Sequence, residues 1–214
     1  MIRNAGESAG HLSQSEKGSV TDWAHQWVDV ALSPVARLFV RLRVSPNLLT
    51  VLGFVAGVAA AVPLASGRWP EAIALVILSG FLDGMDGLVA RESRKTSRFG
   101  AFLDSVLDRW SDSAFFLGLI IWYLGSGLQQ HVVLAAYALV SSSLVSYTRA
   151  RAEGIGVRCG RGVFTRLERI VVLVAGLLLN QLVIALWIIA ILSTFTAVQR
   201  LYTTYRFVRA NPEG

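Results

Sequence analysis

Long runs of apolar residues, separated by short polar breaks, follow one another through most of the chain. A helix needs roughly 20 mostly apolar residues to cross the hydrocarbon core of a membrane. By this criterion the pattern predicts an all-α, polytopic membrane protein with six transmembrane helices. Their predicted bounds are residues 48–67, 70–91, 98–124, 131–152, 167–180 and 183–205. Because the breaks are short, we expect consecutive helices to be antiparallel neighbours.

The residues before the first predicted span divide into two parts. Residues 1–20 are polar, contain Gly and Ser, and lack the apolar core of a cleaved signal, so we expect them to be disordered. Residues 21–44 mix aromatic and aliphatic side chains with Asp and Arg, which is typical of an amphipathic helix on the membrane surface. The alternative is an ordinary soluble helix, although no soluble domain follows for it to pack on. Residues 45–210 then form the six-helix transmembrane domain.

Basic residues are concentrated at one end of the predicted bundle. The opposite loops carry only Arg68. The basic residues lie in or beside the loops after the second and fourth spans: Arg91, Arg94, Lys95, Arg98, Arg149, Arg151, Arg158, Arg161 and Arg166. The positive-inside rule predicts a multi-pass protein of the cell membrane with these loops and both termini in the cytoplasm. The net charge of +6 is explained by this topology, so we do not infer nucleic-acid binding.

Four aspartates lie inside the second and third predicted spans: Asp83, Asp86, Asp104 and Asp108. An unpaired charge in hydrocarbon costs at least about 2.5–3.5 kcal/mol, so acids at this depth usually mark function. The spacings of three and four residues place each pair on one helical face. Both pairs lie one to two turns from the basic end of the bundle. We therefore expect the pairs to face each other and to hold a common cation.

The residue types around this acidic site indicate which cation it takes. Carboxylate oxygens suit Mg²⁺, with Mn²⁺ as the alternative. The single cysteine and three scattered histidines give no zinc cluster. We interpret Gly84, Gly87 and Gly100 as clearance for a ligand, with close helix packing as the alternative. Gly53 and Gly57 in the first span indicate helix packing.

The acidic residues belong to a longer pattern, D-x2-D-G-x2-A-R-x8-G-x3-D-x3-D. Its fixed positions are Asp83, Asp86, Gly87, Ala90, Arg91, Gly100, Asp104 and Asp108. This pattern resembles the signature of the CDP-alcohol phosphotransferase family. The resemblance implies a six-helix membrane fold with its catalytic domain in residues 45–210. It also implies transfer of a phosphatidyl-type group from a CDP-activated lipid to an alcohol, with two Mg²⁺ ions per site.

The resemblance implies a role for each matching residue. Asp83, Asp86 and Asp104 would bind one metal ion, and Asp83, Asp104 and Asp108 the second. Asp108 would also take the proton from the attacking alcohol. The residues implied to contact the CDP-lipid donor are Asn47, Leu48, Leu49, Thr50, Gly87, Arg91 and Ser97. For residues 46–50, a simple helix start after a proline is the alternative interpretation.

Arginines in the later spans indicate what the acceptor is. Guanidinium groups match phosphate oxygens, and Arg149, Arg166 and Arg200 lie at helix ends on the metal side. The surrounding sequence resembles the phosphatidylinositol phosphate synthase branch, although relatives often have lysine in place of Arg149 and proline in place of Leu167. This resemblance implies that the three arginines hold the phosphate of inositol 1-phosphate, which attacks CDP-diacylglycerol to give phosphatidylinositol phosphate and CMP. The alternative is that they set topology or bind lipid headgroups.

Other interpretations stay open from sequence alone. Glycerol 3-phosphate or inositol could replace the acceptor, and a CDP-isoprenoid-ether lipid could replace the donor. Intramembrane acids also serve cation transporters, but the acids here lie toward one face and the chain has no convincing internal repeat. Asp112 continues the acidic stripe outside the motif, and we interpret it as a structural ion pair with an arginine. The family resemblance also implies a homodimer in a lipid membrane.

Overall fold

The computed structural model describes residues 32–157 and 162–211, and within these ranges all regular structure is helical. Residues 32–41 are helical. The six longer helices are α1 (Pro46–Ala65), α2 (Trp69–Glu92), α3 (Arg98–Gly125), α4 (Gln129–Gly154), α5 (Arg166–Leu178) and α6 (Leu182–Ala210). The all-α prediction is confirmed, and each predicted span coincides with one helix. Residues 1–20 and 21–31 lie outside the described residues, so the disordered terminus and the interfacial helix stay predictions.

Four of the described helices have the length and composition to cross a membrane: α1, α2, α4 and α6. The chain is therefore a membrane protein. Helix α3 has 28 residues but includes acidic and basic side chains. Helix α5 has 13 residues, which corresponds to about 20 Å against about 30 Å of hydrocarbon. Membrane crossing by α3 and α5 stays a prediction.

The helices pack as two groups of three. Helix α1 contacts α2 and α3, and α6 contacts α4 and α5, while α3 contacts α4 and α2 contacts α5 across the groups. The expected contact between consecutive helices is found for α1–α2, α3–α4 and α5–α6. The backbones of α2 and α3, and those of α4 and α5, do not pack closely along their lengths in the described ranges. Because α1 packs against both α2 and α3, these two helices can stand apart where they carry the aspartates.

Small residues allow α1 to approach its neighbours closely. A Cβ atom added at Gly57 would lie 2.7 Å from Ser111 Oγ on α3 and 2.9 Å from Ser79 Oγ on α2. The Ser79 hydroxyl donates a hydrogen bond of 2.8 Å to the carbonyl oxygen of Gly53. A Cβ at Gly118 of α3 would lie 2.7 Å from a backbone carbonyl oxygen of α1. The packing interpretation of Gly53 and Gly57 is thus confirmed.

The helices that begin near the aspartates have capped N-termini. Ser45 before α1 and Ser97 before α3 accept hydrogen bonds from backbone N–H groups three residues further on, at 3.2 and 2.9 Å. Thr165 and Glu168 form a capping box at the start of α5. These caps satisfy N–H groups that would otherwise lack partners. They fix the backbone of the segments that carry the predicted donor and acceptor residues.

Candidate active site

Three aspartates from α2 and α3 form a carboxylate cluster: Asp83, Asp104 and Asp108. One oxygen from each lies within 4.8 Å of the others, and all three side chains are partly buried. Asp83 comes from the second half of α2 and the other two from the first half of α3. The expectation that the acidic faces of these helices meet is confirmed for these three residues.

Asp86 lies beside the carboxylate cluster and has a different partner. Its Oδ2 atom accepts a hydrogen bond of 2.5 Å from the hydroxyl of Thr50 on α1, and only 6% of the residue is exposed. This contact joins the start of α1 to the acidic face of α2. The metal-binding role of Asp86 stays a prediction.

The carboxylate cluster fits a divalent cation. The Oδ1 atom of Asp104 is buried and has no hydrogen-bond partner among the described residues. A buried carboxylate oxygen without a partner is costly, and coordination of a cation by this atom would remove the cost. A donor set made only of carboxylate oxygens suits Mg²⁺ or Mn²⁺.

Arg166, the first residue of α5, connects the carboxylate cluster to a second ion pair. Its Nη1 atom lies 2.5 Å from Asp83 Oδ2 and 2.8 Å from Asp108 Oδ1. Its Nε atom lies 3.2 Å from Asp112 Oδ1, and Arg169 Nη2 lies 2.8 Å from Asp112 Oδ2. The predicted pairing of Asp112 with an arginine is confirmed, with two partners instead of one.

A small cavity of about 220 Å³ lies on one side of the carboxylate cluster, and Asp86 and Asp104 form part of its wall. Five of the predicted donor-binding residues line it: Asn47, Thr50, Gly87, Arg91 and Ser97. Leu48 and Leu49 are not among the residues that line it. Leu48 is exposed, whereas Leu49 is buried against residues such as Met85. The structure therefore brings most, and not all, of the predicted donor residues together.

Glycines shape the small cavity in two different ways. Gly100 lies in its wall, and a Cβ there would be 2.9 Å from Ser97 Oγ and 3.1 Å from Asn47 Oδ1. At Gly87, also in the wall, the nearest atom to an added Cβ would be Arg91 Nη1 at 3.6 Å, which is an ordinary van der Waals contact. Gly84 is exposed, has nothing within 4 Å and is not among the lining residues. The clearance interpretation therefore stays a prediction for Gly87 and gains no support at Gly84.

A large cavity of about 690 Å³ lies on the other side of the carboxylate cluster, with Asp104, Asp108 and Asp112 in its wall. Five arginines also line it, including all three predicted to bind the acceptor: Arg109, Arg149, Arg166, Arg169 and Arg200. Asp104 belongs to the walls of both cavities. Molecules held in the two cavities would therefore meet at the carboxylate cluster.

The predicted acceptor arginines differ in their environment. Arg200 is 5% exposed and donates a hydrogen bond of 2.5 Å to the carbonyl oxygen of Val145. Arg149 is about half exposed and pairs with Glu153 at 2.8 Å. Because Arg200 is buried and Arg149 is half exposed, the large cavity has cationic groups both deep inside and at its exposed edge.

Sequence reasoning missed two features of the large cavity. Arg169 was not assigned a role, although it follows Arg166 by three residues and so lies on the same face of α5. Gly162 packs against Arg200, because a Cβ there would lie 2.8 Å from Arg200 Nη2. The helical period could have identified Arg169, whereas nothing in the sequence distinguishes Gly162 from other loop glycines.

Comparisons with known proteins agree with this site. The family model for CDP-alcohol phosphatidyltransferase matches residues 43–199. The chain is 38% identical over 179 residues to an archaetidylinositol phosphate synthase of Methanothermobacter thermautotrophicus, covering 78% of this chain and 89% of the relative.

Two crystal structures of the Mycobacterium tuberculosis phosphatidylinositol phosphate synthase share the fold, each at 34% identity. The structure with CDP-DAG bound has a TM-score of 0.72 and covers 81% of this chain and 92% of its own. The complex with manganese and citrate has a TM-score of 0.73 and covers 81% and 88%. The match to the family model spans most of the chain and includes all four motif aspartates. The chain therefore belongs to the CDP-alcohol phosphatidyltransferase family and is a membrane enzyme of phospholipid synthesis.

Proposed function

We propose that this enzyme transfers the phosphatidyl group of CDP-diacylglycerol to inositol 1-phosphate, giving phosphatidylinositol phosphate and CMP. The observation that carries the proposal is the meeting of two cavities at the carboxylate cluster. One cavity has the motif residues predicted to contact a CDP group, and the other has five arginines. We assign this chemistry to the domain over residues 45–210.

The small cavity suits the nucleotide part of the donor. Arg91 and Lys95 in its wall supply positive charge for a diphosphate. The cavity lies between the starts of α1 and α3 and the end of α2, where a lipid's acyl chains can stay in the membrane. The related synthase whose structure holds CDP-DAG supports this donor.

The large cavity suits an acceptor that carries phosphate. Arg149, Arg166 and Arg200 line a shared volume, and a phosphate is a preferred partner for guanidinium groups. The names of the relatives support inositol phosphate in particular. One relative is an archaetidylinositol phosphate synthase and another a phosphatidylinositol phosphate synthase, so their lipid parts differ while the inositol phosphate part is shared.

The residues of the cluster divide the work of the transfer. Divalent ions held by Asp83, Asp86, Asp104 and Asp108 would neutralise charge on the diphosphate and on the departing CMP. The arginines of the large cavity orient the acceptor so that its hydroxyl faces the donor's phosphorus. Asp108 takes the hydroxyl proton as the new O–P bond forms in line with the breaking bond to CMP.

The basic loops support a cytoplasmic site, with both termini on the same side of the cell membrane. The proposed assembly is a homodimer, as family resemblance implies. Family membership argues against a cation transporter. One relative is an archaetidylinositol phosphate synthase, so a CDP-isoprenoid-ether lipid is the alternative donor for this enzyme.

The proposal is tested by measuring CMP release from purified protein with Mg²⁺ and CDP-diacylglycerol. Inositol 1-phosphate, glycerol 3-phosphate, inositol and serine are compared as acceptors. We expect the fastest release with inositol 1-phosphate, because only this acceptor offers both the phosphate for the arginines and the inositol ring. Faster release with glycerol 3-phosphate or inositol would reject the acceptor. A parallel series with a CDP-isoprenoid-ether lipid identifies the donor tail.

A further inference from the structure

Arg166 places a positive charge within the carboxylate cluster. Its Nη1 atom contacts Asp83 Oδ2 at 2.5 Å and Asp108 Oδ1 at 2.8 Å, and its side chain is 15% exposed. Two of the three cluster carboxylates are therefore neutralised by a side chain of the protein. Asp104, the third, keeps a buried oxygen without a hydrogen-bond partner in the described chain.

The contacts of Arg166 Nη1 compete with direct metal coordination. Mg²⁺ approaches its oxygen ligands to about 2.0–2.1 Å, so it needs the carboxylate oxygens themselves. Asp83 Oδ2 and Asp108 Oδ1 are the atoms that Nη1 contacts, and a guanidinium cannot stay beside a dication at this distance without strong repulsion. Binding of a metal at these oxygens therefore requires Arg166 to withdraw.

Besides the contacts of Nη1 with Asp83 and Asp108, the Arg166 side chain is held at its Nε atom. Its Nε atom pairs with Asp112 at 3.2 Å, and the other oxygen of Asp112 pairs with Arg169, which is 5% exposed. The capping box at Thr165 and Glu168 fixes the backbone from which the side chain extends. Arg166 can therefore release its Nη1 contacts and remain held at Nε, within the wall of the large cavity.

We propose that Arg166 is a positioning residue that couples metal binding to binding of the acceptor's phosphate. Without metal it neutralises Asp83 and Asp108. When a divalent cation binds, the terminal nitrogens of Arg166 turn into the large cavity toward the phosphate, while Asp112 continues to hold Nε. The phosphate-binding part of this inference rests on the proposed function, whereas the competition for the carboxylates does not.

Such coupling is reciprocal, because each ligand changes the affinity for the other by the same factor. A phosphate that draws Arg166 away from the carboxylate cluster should tighten metal binding. Removal of the Arg166 guanidinium should tighten metal binding by itself and abolish this effect of phosphate. Coupling between sites commonly amounts to about 5- to 150-fold in affinity, which a titration resolves.

The test is a Mn²⁺ titration of the full chain in detergent, followed by calorimetry, with no nucleotide lipid present. For Arg166→Gln we expect Mn²⁺ to bind at least about fivefold more tightly than to the unmodified protein. Arg149→Gln is the matched control, since it removes the same charge from the same cavity while the known partner of Arg149 is Glu153. Unchanged Mn²⁺ affinity in Arg166→Gln, or an equal gain in Arg149→Gln, would overturn the proposal.

A second variant, Asp112→Asn, tests whether Asp112 anchors Arg166. It also keeps the proposal testable if Arg166→Gln does not fold. The Mn²⁺ titration is repeated with inorganic phosphate and with inositol 1-phosphate for the unmodified protein and for Asp112→Asn. We expect either anion to tighten Mn²⁺ binding to the unmodified protein, and to do so much less in Asp112→Asn. Equal tightening in both would reject the anchoring role. These outcomes are independent of the acceptor comparison, because no CMP is formed.

Discussion

The three carboxylates of the cluster differ in what they face. Asp83 is in the wall of neither large nor small cavity, Asp104 is in the walls of both, and Asp108 lines only the large cavity. The general base that removes the proton from the attacking hydroxyl must reach the cavity that holds the alcohol substrate. Asp108 is therefore the member of the cluster best placed for this role, and Asp104 the one best placed to contact both substrates.

We predict that Asp108→Asn lowers CMP release by on the order of 10²–10⁴-fold while the protein still inserts and folds. Asparagine keeps the shape of the side chain but cannot accept the proton. CMP release is measured over a range of Mg²⁺ concentrations, with thermal unfolding as the control for folding. If saturating Mg²⁺ restored turnover, Asp108 would be only a metal ligand, and the assignment as base would be wrong.

The sequence predicts the structure best where a local pattern fixes the helical face on which a residue lies. The spacing of Asp83, Asp104 and Asp108 predicted that their faces meet, because helical period and loop length determine it. The contact of Arg166 with Asp83 was not predicted, since it joins helices that are far apart in the chain. Such ion pairs depend on how helices pack. Because Arg166 also contacts the carboxylate cluster, the substitution Arg166→Ala would not test acceptor binding alone.

At the scale of the helix, the sequence predicted the elements better than their orientation. The start of α1 was expected to present Leu48 and Leu49 to the donor, but Leu49 is buried in the core and Leu48 is exposed. In a membrane protein, lipid-facing and core-facing residues are both apolar, so hydropathy does not distinguish the faces of a helix. Polar and small residues, such as Thr50 and Gly57, mark the buried faces more clearly.

Close contact between α1 and α3 gives a prediction about helix packing. Gly118→Ala should lower the free energy of unfolding by about 1–3 kcal/mol, because its Cβ would meet a backbone carbonyl oxygen of α1 at 2.7 Å. Gly125→Ala, in the same helix, has nothing within 4 Å of the added Cβ and serves as the control. Thermal unfolding in detergent compares the two variants. Equal midpoints would contradict the tight packing of α1 on α3.

For the whole molecule, the number and order of the helices follow from the sequence, whereas their arrangement does not. Hydropathy defined the elements that became α1 to α6, and their bounds are close to those predicted. The grouping of α1 with both α2 and α3 was missed because chain order favoured contact between every consecutive pair. The large cavity could not be predicted either, because its wall comes from helices of both groups.

The proposed orientation gives a prediction for the intact membrane. In a Cys159→Ser background, Glu92→Cys reports on the end of α2 beside the aspartates, and Ser126→Cys reports on the opposite end of α3. Both positions are exposed. In intact cells we expect a membrane-impermeant maleimide to label only Ser126→Cys, and both variants after the membrane is opened. The reverse pattern would place the site outside the cell.

Asp104 stands in the wall of both cavities, and from this shared wall we infer how the proposed reaction is ordered in time. Donor and acceptor can occupy adjoining spaces simultaneously, so no side chain has to carry the lipid phosphate between them. We therefore expect the phosphorus atom to undergo one displacement, with inversion of its stereochemical configuration. For the proposed reaction we expect the kinetics of a ternary complex, in which CMP leaves only after the alcohol has arrived.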